Sequence, residues 1–358
     1  MYPSNWAVNF LKPIFKKGET DDTDNYRGLA IGSALAKLFS QILLRRLTKY
    51  VDEKKLLSPN QGGFLKGRST SDHIFLLQTI IEKVVKKGRK KLFAAFIDFK
   101  KAYDTVDRNI LIRRLKQLGI NGIFLKNIAS MYMKTKYSIK LNDGHLGPIE
   151  SNLGLKQGCP LSPMIFNLYI DDVREIFENT CHPIDLQGLN LSHFLYADDL
   201  VLISLTKEGL QNSLEKLHNY SQQKGLTISM KKSKTIIFNL GGKFIKKYFK
   251  INGNLIEPVH TFCYLGFDVK ASGTVKHAMN LLFDKANKAM WPLYRSIARF
   301  RIPTETSLKL FHAYISPIAL YNAENWAVLS DKNILNFSNE FIFEDIAVSK
   351  TDNLHRKF

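Results

Sequence analysis

Cysteine is scarce: Cys159, Cys181 and Cys263 are the only three in 358 residues. They form no CxxC pair, so neither a zinc knuckle nor a disulfide framework is available. A reducing, intracellular compartment is the expectation. No apolar run approaches the roughly 18 residues that a membrane span needs. The opening MYPSNWAVNF lacks the basic start and apolar middle of a secretory leader. Internal repeats and low-complexity blocks are missing as well. Acidic residues are in deficit: 32 Asp and Glu face 52 Lys and Arg, a formal net charge of +20. Hydrophobic residues make up 45% of the chain, enough to bury a core, which excludes a disordered basic tail. The surplus charge therefore lies on a folded surface, where it favours a polyanion. Nucleic acid is the first candidate, an anionic membrane the second, and an evenly solvated basic surface the third.

Patterning along the chain supplies the elements. Residues 1–32 read as irregular or extended, with a basic turn at Lys16 and Lys17. Ser33 is placed to cap a helix running to about Val51, with Leu35, Leu38, Phe39 and Ile42 on one face. After the glycine-rich QGGFLKGRST, a second helix is predicted over 71–87 with Ile74, Leu77, Ile81 and Val84 inward. LFAAFID (92–98) is a continuous apolar run ending in a carboxylate, as in a strand buried on both faces. Asp107 and Asn121 are each placed to cap a helix, and a hairpin turns at Asp143-Gly144. Ser162-Pro163 opens a helix to about Glu178. HFLYADDLVLIS reads as two short strands around an acidic turn. Thr206 to Lys224 is amphipathic and closed by Gly225, strands are expected through 226–239 and 248–269, and 275–328 turns helical and basic. The alternation of strands and helices in the centre predicts an α+β, ferredoxin-like sheet with helices on one face.

Three aspartates stand out by context. Asp98 ends a buried strand, and Asp198 and Asp199 adjoin in a turn between apolar strands. Neighbouring carboxylates repel, so beside a buried sheet they need solvent or a cation. A pair of divalent metals is the arrangement that uses several carboxylates in nucleotidyl transfer. Turn-forming aspartates without chemistry are the competing reading. Asp104 and Asp107 read as serving the following turn and helix start, and Asp171-Asp172 as the polar face of their helix.

IDFKKAYD, GLKQGCPLSP and YADD together resemble a reverse transcriptase, specifically the LINE-type (non-LTR) retrotransposon enzymes. PIFKKGETDDTDNYRGLAI and QGGFLKGRST resemble the family's fingers motifs, and IDFKKAYDTVD, LGLKQGCPLSPMIFNLYIDD and FLYADDLVLIS its first three palm motifs. GLTISMKKSKTIIF and FCYLGFDV resemble the last two palm motifs, and PTETSLKLFHAYISPIALYNAENW the start of the thumb. The motifs follow the family's order over nearly the whole chain.

The resemblance implies a right-hand polymerase fold: fingers over 1–90 with the upstream segment missing, palm over 91–270 with some fingers elements inserted, thumb start over 271–330 and a tail from 331. It implies RNA-directed DNA synthesis on an RNA template with a DNA primer and dNTP, and two Mg2+ ions replaceable by Mn2+. Asp98, Asp198 and Asp199 would be catalytic and hold the metals. Arg27, Phe99, Tyr103, Gln157 and Gly158 would face the nucleotide, with Tyr103 as the steric gate against a ribose hydroxyl. Gln61 and Arg68 fall on the template side. Lys231, Lys232 or Lys234 would reach the leaving pyrophosphate, and the sequence does not choose among them. The family's endonuclease domain and C-terminal cysteine-histidine motif have no counterpart, so an incomplete element protein is expected. A fragment that binds nucleic acid without catalysis is the alternative.

From Lys216 to Ile256 there are nine lysines and no acid. The helical region beyond adds Lys276, Lys285, Lys288, Arg295, Arg299, Arg301 and Lys309, interleaved with Trp291, Tyr294 and Phe300. Such a face tracks a duplex backbone by charge and shape, so affinity should be strongly salt-dependent. With roughly six phosphates neutralised, duplex affinity is expected to fall on the order of 1000-fold between about 50 and 200 mM salt. Fluorescence anisotropy across a salt series checks this, and a flat response would remove the polyanion reading.

Overall fold

Two antiparallel strands open the chain, β1 (Val8–Phe15) and β2 (Tyr26–Ile31), paired from Phe10–Ile31 to Phe15–Tyr26. This computed structural model describes residues 2–3, 6–16, 18–141, 144–177, 183–186 and 189–330. Helix α1 (Ala34–Lys54) follows Ser33, whose hydroxyl accepts the Ala36 amide at 3.2 Å. Next come α2 (Thr70–Ile81), which widens into a π-helical turn over 82–87, and β3 (Leu92–Ile97). Helix α3 (Arg108–Gln117) and α4 (Gly122–Met133) lead to the hairpin β4 (Lys136–Leu141) and β5 (Gly144–Glu150). After α5 (Ser162–Ile170) and α6 (Val173–Phe177) come short strands β6 (Ile184–Leu186) and β7 (Leu189–Leu191). The hairpin β8 (His193–Tyr196) and β9 (Asp199–Ser204) precedes α7 (Lys207–Lys224). Strands β10 (Lys234–Phe238), β11 (Phe249–Ile251), β12 (Asn254–Pro258), β13 (Thr261–Tyr264) and β14 (Phe267–Lys270) follow. The last described elements are α8 (Lys276–Phe300), α9 (Thr304–Tyr314), α10 (Ser316–Ala319) and α11 (Ala323–Ser330). The expected turn residue Asp143, the helix end Glu178, Lys17 and the tail from 331 lie outside the described residues.

The chain divides into two compact units, one of residues up to 69, 95–234 and 248–257, the other of 70–94, 235–247 and the residues after 257. In the first unit a four-stranded sheet runs β2-β1-β4-β5, with β1 and β4 parallel from Val8–Lys136 to Leu11–Ile139. The end of β3 lies beside β9, which pairs with β8. Helices α3, α5 and α7 supply core residues Leu111, Leu115, Ile165, Phe166, Leu210 and Leu214, all fully buried. This is a mixed sheet-and-helix, α+β organisation.

In the second unit β10 lies beside the start of β3, and β13 pairs with β14. Ile74, Leu77, Ile81 and Val84 are buried there, as the periodicity predicts. Trp326 is fully buried, its indole N–H donating to the Tyr321 carbonyl at 2.9 Å. One face of α8 buries Ala278, Met279, Leu282, Phe283, Ala286 and Met290, whereas Trp291, Tyr294 and Phe300 are 60%, 45% and 69% exposed. The aromatics among the basic residues are therefore surface groups and not core. No helix among the described residues is long and apolar enough to cross a membrane.

Several expectations are corrected. Helix α1 buries Ala36, Ser40, Leu43, Leu47 and Val51, while Leu35, Leu38 and Ile42 are exposed. Apolar residues occur on more than one side of this helix, so periodicity alone selects the wrong face. Asn121 precedes α4 but makes no side-chain cap bond. The segment 226–233 is not a continuous strand, since β10 begins at Lys234.

Asp171 and Asp172, expected on a solvated face, instead interrupt the predicted helix between α5 and α6 and turn inward. Both Asp171 oxygens accept the Ser58 amide, at 3.0 and 3.1 Å, and Arg174 stands 3.6 Å away. Burial nevertheless outweighs these partners and pushes the Asp171 carboxyl up to about 6, a net penalty of about 3 kcal/mol on the charged form. Asp172 accepts the Tyr220 hydroxyl at 2.6 Å and the Lys224 ammonium at 2.5 Å.

Arg108 is 1% exposed and faces main-chain acceptors. Its guanidinium donates to the carbonyls of Gly154 at 2.8 Å, Tyr132 at 2.7 Å and Leu153 at 2.7 Å, and to Ser151 O. It thereby ties the start of α3, the end of α4 and the loop 151–154 together. Replacing it with methionine would leave several buried carbonyls without donors, so Arg108→Met is expected to lose about 3 kcal/mol or more in urea unfolding.

His193 is also buried, with the Phe177 ring 5.0 Å away, and burial lowers its imidazole pKa to about 4. The unfolded chain takes up a proton near pH 6.5 that the folded chain refuses until about 4. Its contribution to stability is full above about 6.5 and is lost as pH falls toward 4. His193→Phe should therefore show a shallower fall in Tm between about pH 7 and 5 than the parent protein, by calorimetry.

Candidate active site

Because β3 is buried along its length, the chain leaves the core at Asp98. The Asp98 amide donates to Ser233 Oγ at 3.1 Å, and its carbonyl accepts the Ser229 amide at 2.8 Å. One step on, the Lys100 amide donates to the Thr227 carbonyl at 2.8 Å, and Phe99 bridges antiparallel to Ile228. These bonds lay the segment 227–233 along 98–100 and set the Lys232 ammonium 3.4 Å from Asp98 Oδ2. That oxygen is buried and has no hydrogen bond among the described residues.

In the β8–β9 hairpin Tyr196 faces Asp199, which leaves Ala197 and Asp198 as a two-residue loop. Ala197 takes a φ of +57°, the left-handed conformation that tight hairpin loops require and side chains resist. The turn therefore needs support, and Gln61 supplies it. Gln61 Oε1 accepts the amides of Ala197 at 2.9 Å and Gly63 at 2.8 Å. Gly63 lies so close that a Cβ there would stand 2.2 Å from the Ala197 nitrogen.

The acids share one electrostatic environment. Burial raises the Asp198 pKa and the charge of Asp98 adds to it, while its own backbone hydrogen bond, Arg27 and Lys232 oppose. Asp199 retains accessible surface, yet the protein crowding it still limits hydration. Its carboxyl is pushed up to about 6, first by that desolvation, then by Asp198 and Asp98, against Lys232. No three His, Cys, Asp or Glu side chains among the described residues converge into a ready-made ion cage. An open carboxylate set nonetheless suits magnesium, which keeps waters and phosphate oxygens as ligands. The unbonded Asp98 Oδ2 and the mutual repulsion of the acids fit such a cation.

Arg27 and Lys232 act by charge on Asp198, and Lys232 also on Asp199. Lys16, whose pKa is lowered by burial and then by Arg27, Lys232 and Lys101, neighbours these cations. Lys101, at a φ of +45°, donates to Asp24 at 2.7 Å. Arg27 is exposed on β2. The Gln157 carbonyl accepts the Ala30 amide at 2.8 Å, which lays the 157–158 loop on β2. Gly158, at φ +108°, has the Ala30 carbonyl 2.9 Å from where a Cβ would stand, so a side chain is excluded there. Gln157 Nε2 donates to Asp104 at 2.7 Å, so Asp104 serves this loop and not only its own turn. Asp107, by contrast, caps α3 as expected, accepting the Asn109 and Ile110 amides.

Tyr103 is held by its carbonyl, which accepts the Leu155 amide at 2.7 Å, and by its ring, stacked on Phe166 at 4.6 Å and 13°. The hydroxyl is buried without a hydrogen bond among the described residues. Burial raises its pKa, with Asp198 contributing.

The structure thus gathers Asp98, Asp198, Asp199, Arg27, Tyr103 and Lys232, while Gln157 is held by Ala30 and Asp104. Two expected contacts are corrected. Phe99 is 3% exposed, its ring part of the core and not a nucleotide face. Gln61 is fully buried with its amide engaged by the turn, so it offers no atom to a template. Arg68 is exposed, on a groove shared with Lys55, Phe64 and Lys66. Of the three lysines, Lys234 donates to Glu257 at 2.5 Å and to the Lys231 carbonyl at 2.7 Å. Lys232 is the one set toward Asp98. Sequence reasoning missed Lys101 and Ser233, because their partners are 77 and 135 positions away and no local pattern marks them.

Comparison with known proteins bears on this arrangement. Residues 14–269 match the family described as reverse transcriptase (RNA-dependent DNA polymerase). The Pol polyprotein of the type-1 retrotransposable element R2 of Popillia japonica is 28% identical over 336 residues, 91% of this chain and 45% of its own length. The probable RNA-directed DNA polymerase from transposon BS of Drosophila melanogaster is 22% identical over 93% of this chain and 37% of its own length. This chain therefore spans less than half of either relative. Among solved structures, apo telomerase of Candida tropicalis, truncated from its C-terminal domain, aligns with a TM-score of 0.54 at 15% identity, over 76% of this chain and 55% of its own. Telomerase of Candida albicans, in complex with a fragment of telomeric RNA, aligns with 0.53 at 14% identity, over 98% of this chain and 64% of its own. At such identities the likeness is one of fold.

Proposed function

The chain belongs to the reverse transcriptase family, and from that premise we propose that it is an RNA-directed DNA polymerase of a LINE-type retroelement. The observation that carries the reading is that Asp98, Asp198 and Asp199 lie at the ends of neighbouring buried strands, with Arg27 and Lys232 acting on them by charge. An RNA template, a DNA primer and a dNTP are the substrates. Residues 1–90 serve as fingers, 91–270 as palm and 271–330 as the start of the thumb.

Asp98, Asp198 and Asp199 would hold two magnesium ions, for which manganese can substitute, and the ions, once bound, would supply Lewis acidity toward the primer 3′-hydroxyl and the leaving pyrophosphate. Arg27 and Lys16 orient the triphosphate by charge, and a guanidinium suits bidentate phosphate contacts. Lys232 stands where its ammonium neutralises charge developing beside Asp98. Tyr103, fixed by Leu155 and Phe166, closes the space that a ribose 2′-hydroxyl would occupy. Gly158 admits the backbone close to the nucleotide, and Gln157 is oriented by Asp104. The exposed Trp291, Tyr294 and Phe300, among Arg295, Arg299 and Arg301, suit contact with the duplex. Binding without catalysis is the less supported reading, because the matched family and relatives are named as polymerases.

Primer extension on an RNA template with magnesium or manganese tests the proposal. Incorporation of dNTP is expected, and none by folded protein would reject it. Asp198→Asn should abolish synthesis while duplex affinity by anisotropy stays unchanged, because binding rests on Lys and Arg.

A further inference from the structure

Gln61 is the best-engaged polar side chain near the acidic turn, and the proposed chemistry leaves it without a task. It is fully buried, and its Oε1 accepts two main-chain amides, of Ala197 and Gly63. Its Nε2 faces the Ala197 carbonyl at 3.5 Å. One side chain thus brackets the peptide units on both sides of Ala197, the residue held at φ +57°. Main-chain bonds reinforce the bracket: the Leu195 amide donates to the Asn60 carbonyl and the Gly62 amide to the Leu195 carbonyl, each at 2.9 Å.

The loop carrying Gln61 is itself anchored to α5 and the turn after it. Asn167 Nδ2 donates to the Gly63 carbonyl at 2.6 Å. Asp171 takes the Ser58 amide on both oxygens, and the Gln61 amide donates to the Ser58 carbonyl at 3.1 Å. Each end of the loop is therefore fixed to a buried polar group, and its middle fixes the turn. The alternative, a glutamine that merely satisfies itself in the core, does not explain why its bonds converge on the strained residue beside Asp198. A glycine at 197 would remove the strain; an alanine there makes the outside support necessary.

We infer that Gln61 is a positioning residue: it holds the Ala197 peptide in its left-handed conformation and thereby sets where the Asp198 carboxylate points. The inference rests on the reading of Asp198 as a metal-holding carboxylate, and it goes beyond that reading by assigning the support to a residue that touches no substrate. Asn167 and Asp171 are the anchors behind it.

The test uses Gln61→Met, which keeps length and apolar bulk but removes the acceptor, and Gln61→Glu, which keeps the acceptor oxygen. Mn2+ binding to the protein–duplex complex is read by electron paramagnetic resonance, nucleotide KM and kcat by primer extension, and folding by circular dichroism. Gln61→Met should weaken Mn2+ binding and lower kcat by about 10- to 100-fold, the usual effect of losing a group that orients a metal ligand. Duplex affinity and nucleotide KM should stay unchanged, and Gln61→Glu should recover most of the Mn2+ affinity. A folded Gln61→Met protein with parental Mn2+ affinity and kcat overturns the inference. Should that variant not fold, amide exchange in the parent protein decides: a slowly exchanging Ala197 amide supports the tie, and a freely exchanging one overturns it. A parent that binds Mn2+ without extending primers would sink the polymerase reading alone, since the positioning claim is read from Mn2+ binding.

Discussion

Like charge gathered in a poorly hydrated place is the constraint on which the first unit depends. Burial raises the cost of ionising Asp198 and Asp199, and the charge of Asp98 adds to both. Nothing in the side chains themselves would bring these groups together. Backbone geometry does so: one strand ends at Asp98, and the neighbouring hairpin reverses at Ala197-Asp198. The energy that holds the acids comes from apolar burial along β3, β8 and β9 and from the ladder between strands. Cations placed opposite ease the repulsion only in part, since Lys232 is well exposed to solvent. The resulting site has a standing demand for positive charge, which a metal ion and basic side chains meet in different ways.

Much of this was legible in the linear pattern. A continuous apolar run that ends on an acid, and an acidic pair between two apolar runs, were enough to place Asp98, Asp198 and Asp199 at element ends. Caps at Ser33 and Asp107 announced two helices, because a cap bond is local and its donor and acceptor lie within three positions. Long-range polar ties were not legible. Ser58 finds Asp171 across 113 positions and Gln61 finds Ala197 across 136. The helix face of α1 was misread for a related reason. With Leu35, Leu38 and Ile42 set against Leu43, Leu47 and Val51, only the neighbours decide which row is covered. The pair at Asp171-Asp172 was misread because a solvated acid and a buried acid with distant partners look the same in one dimension.

Net charge also proves to be a mixture. Of the nine lysines in the acid-free stretch from 216 to 256, Lys224 is partnered by Asp172, Lys232 stands by Asp98 and Lys234 pairs with Glu257. Their positive charge answers carboxylates that lie elsewhere in the sequence. The remaining lysines of that stretch, with the arginines late in α8, form the part of the surplus that faces outward. Bulk charge therefore points toward a polyanion but overstates how many cations are available to meet one.

Arg108 illustrates a different economy. Its guanidinium grips the loop at 151–154 almost entirely by carbonyl oxygens, atoms that every amino acid carries. Asn152 and Leu153 consequently project outward with little to anchor beyond their own main chain. The loop's path is insured against change in its own side chains, whereas the glycine at 154, whose φ is +78° and whose Cβ position is filled by the Asp104 backbone, has no such freedom. The exposed side chains of the loop are thus free to differ without disturbing Tyr103, whose carbonyl is held by the Leu155 amide just beyond it.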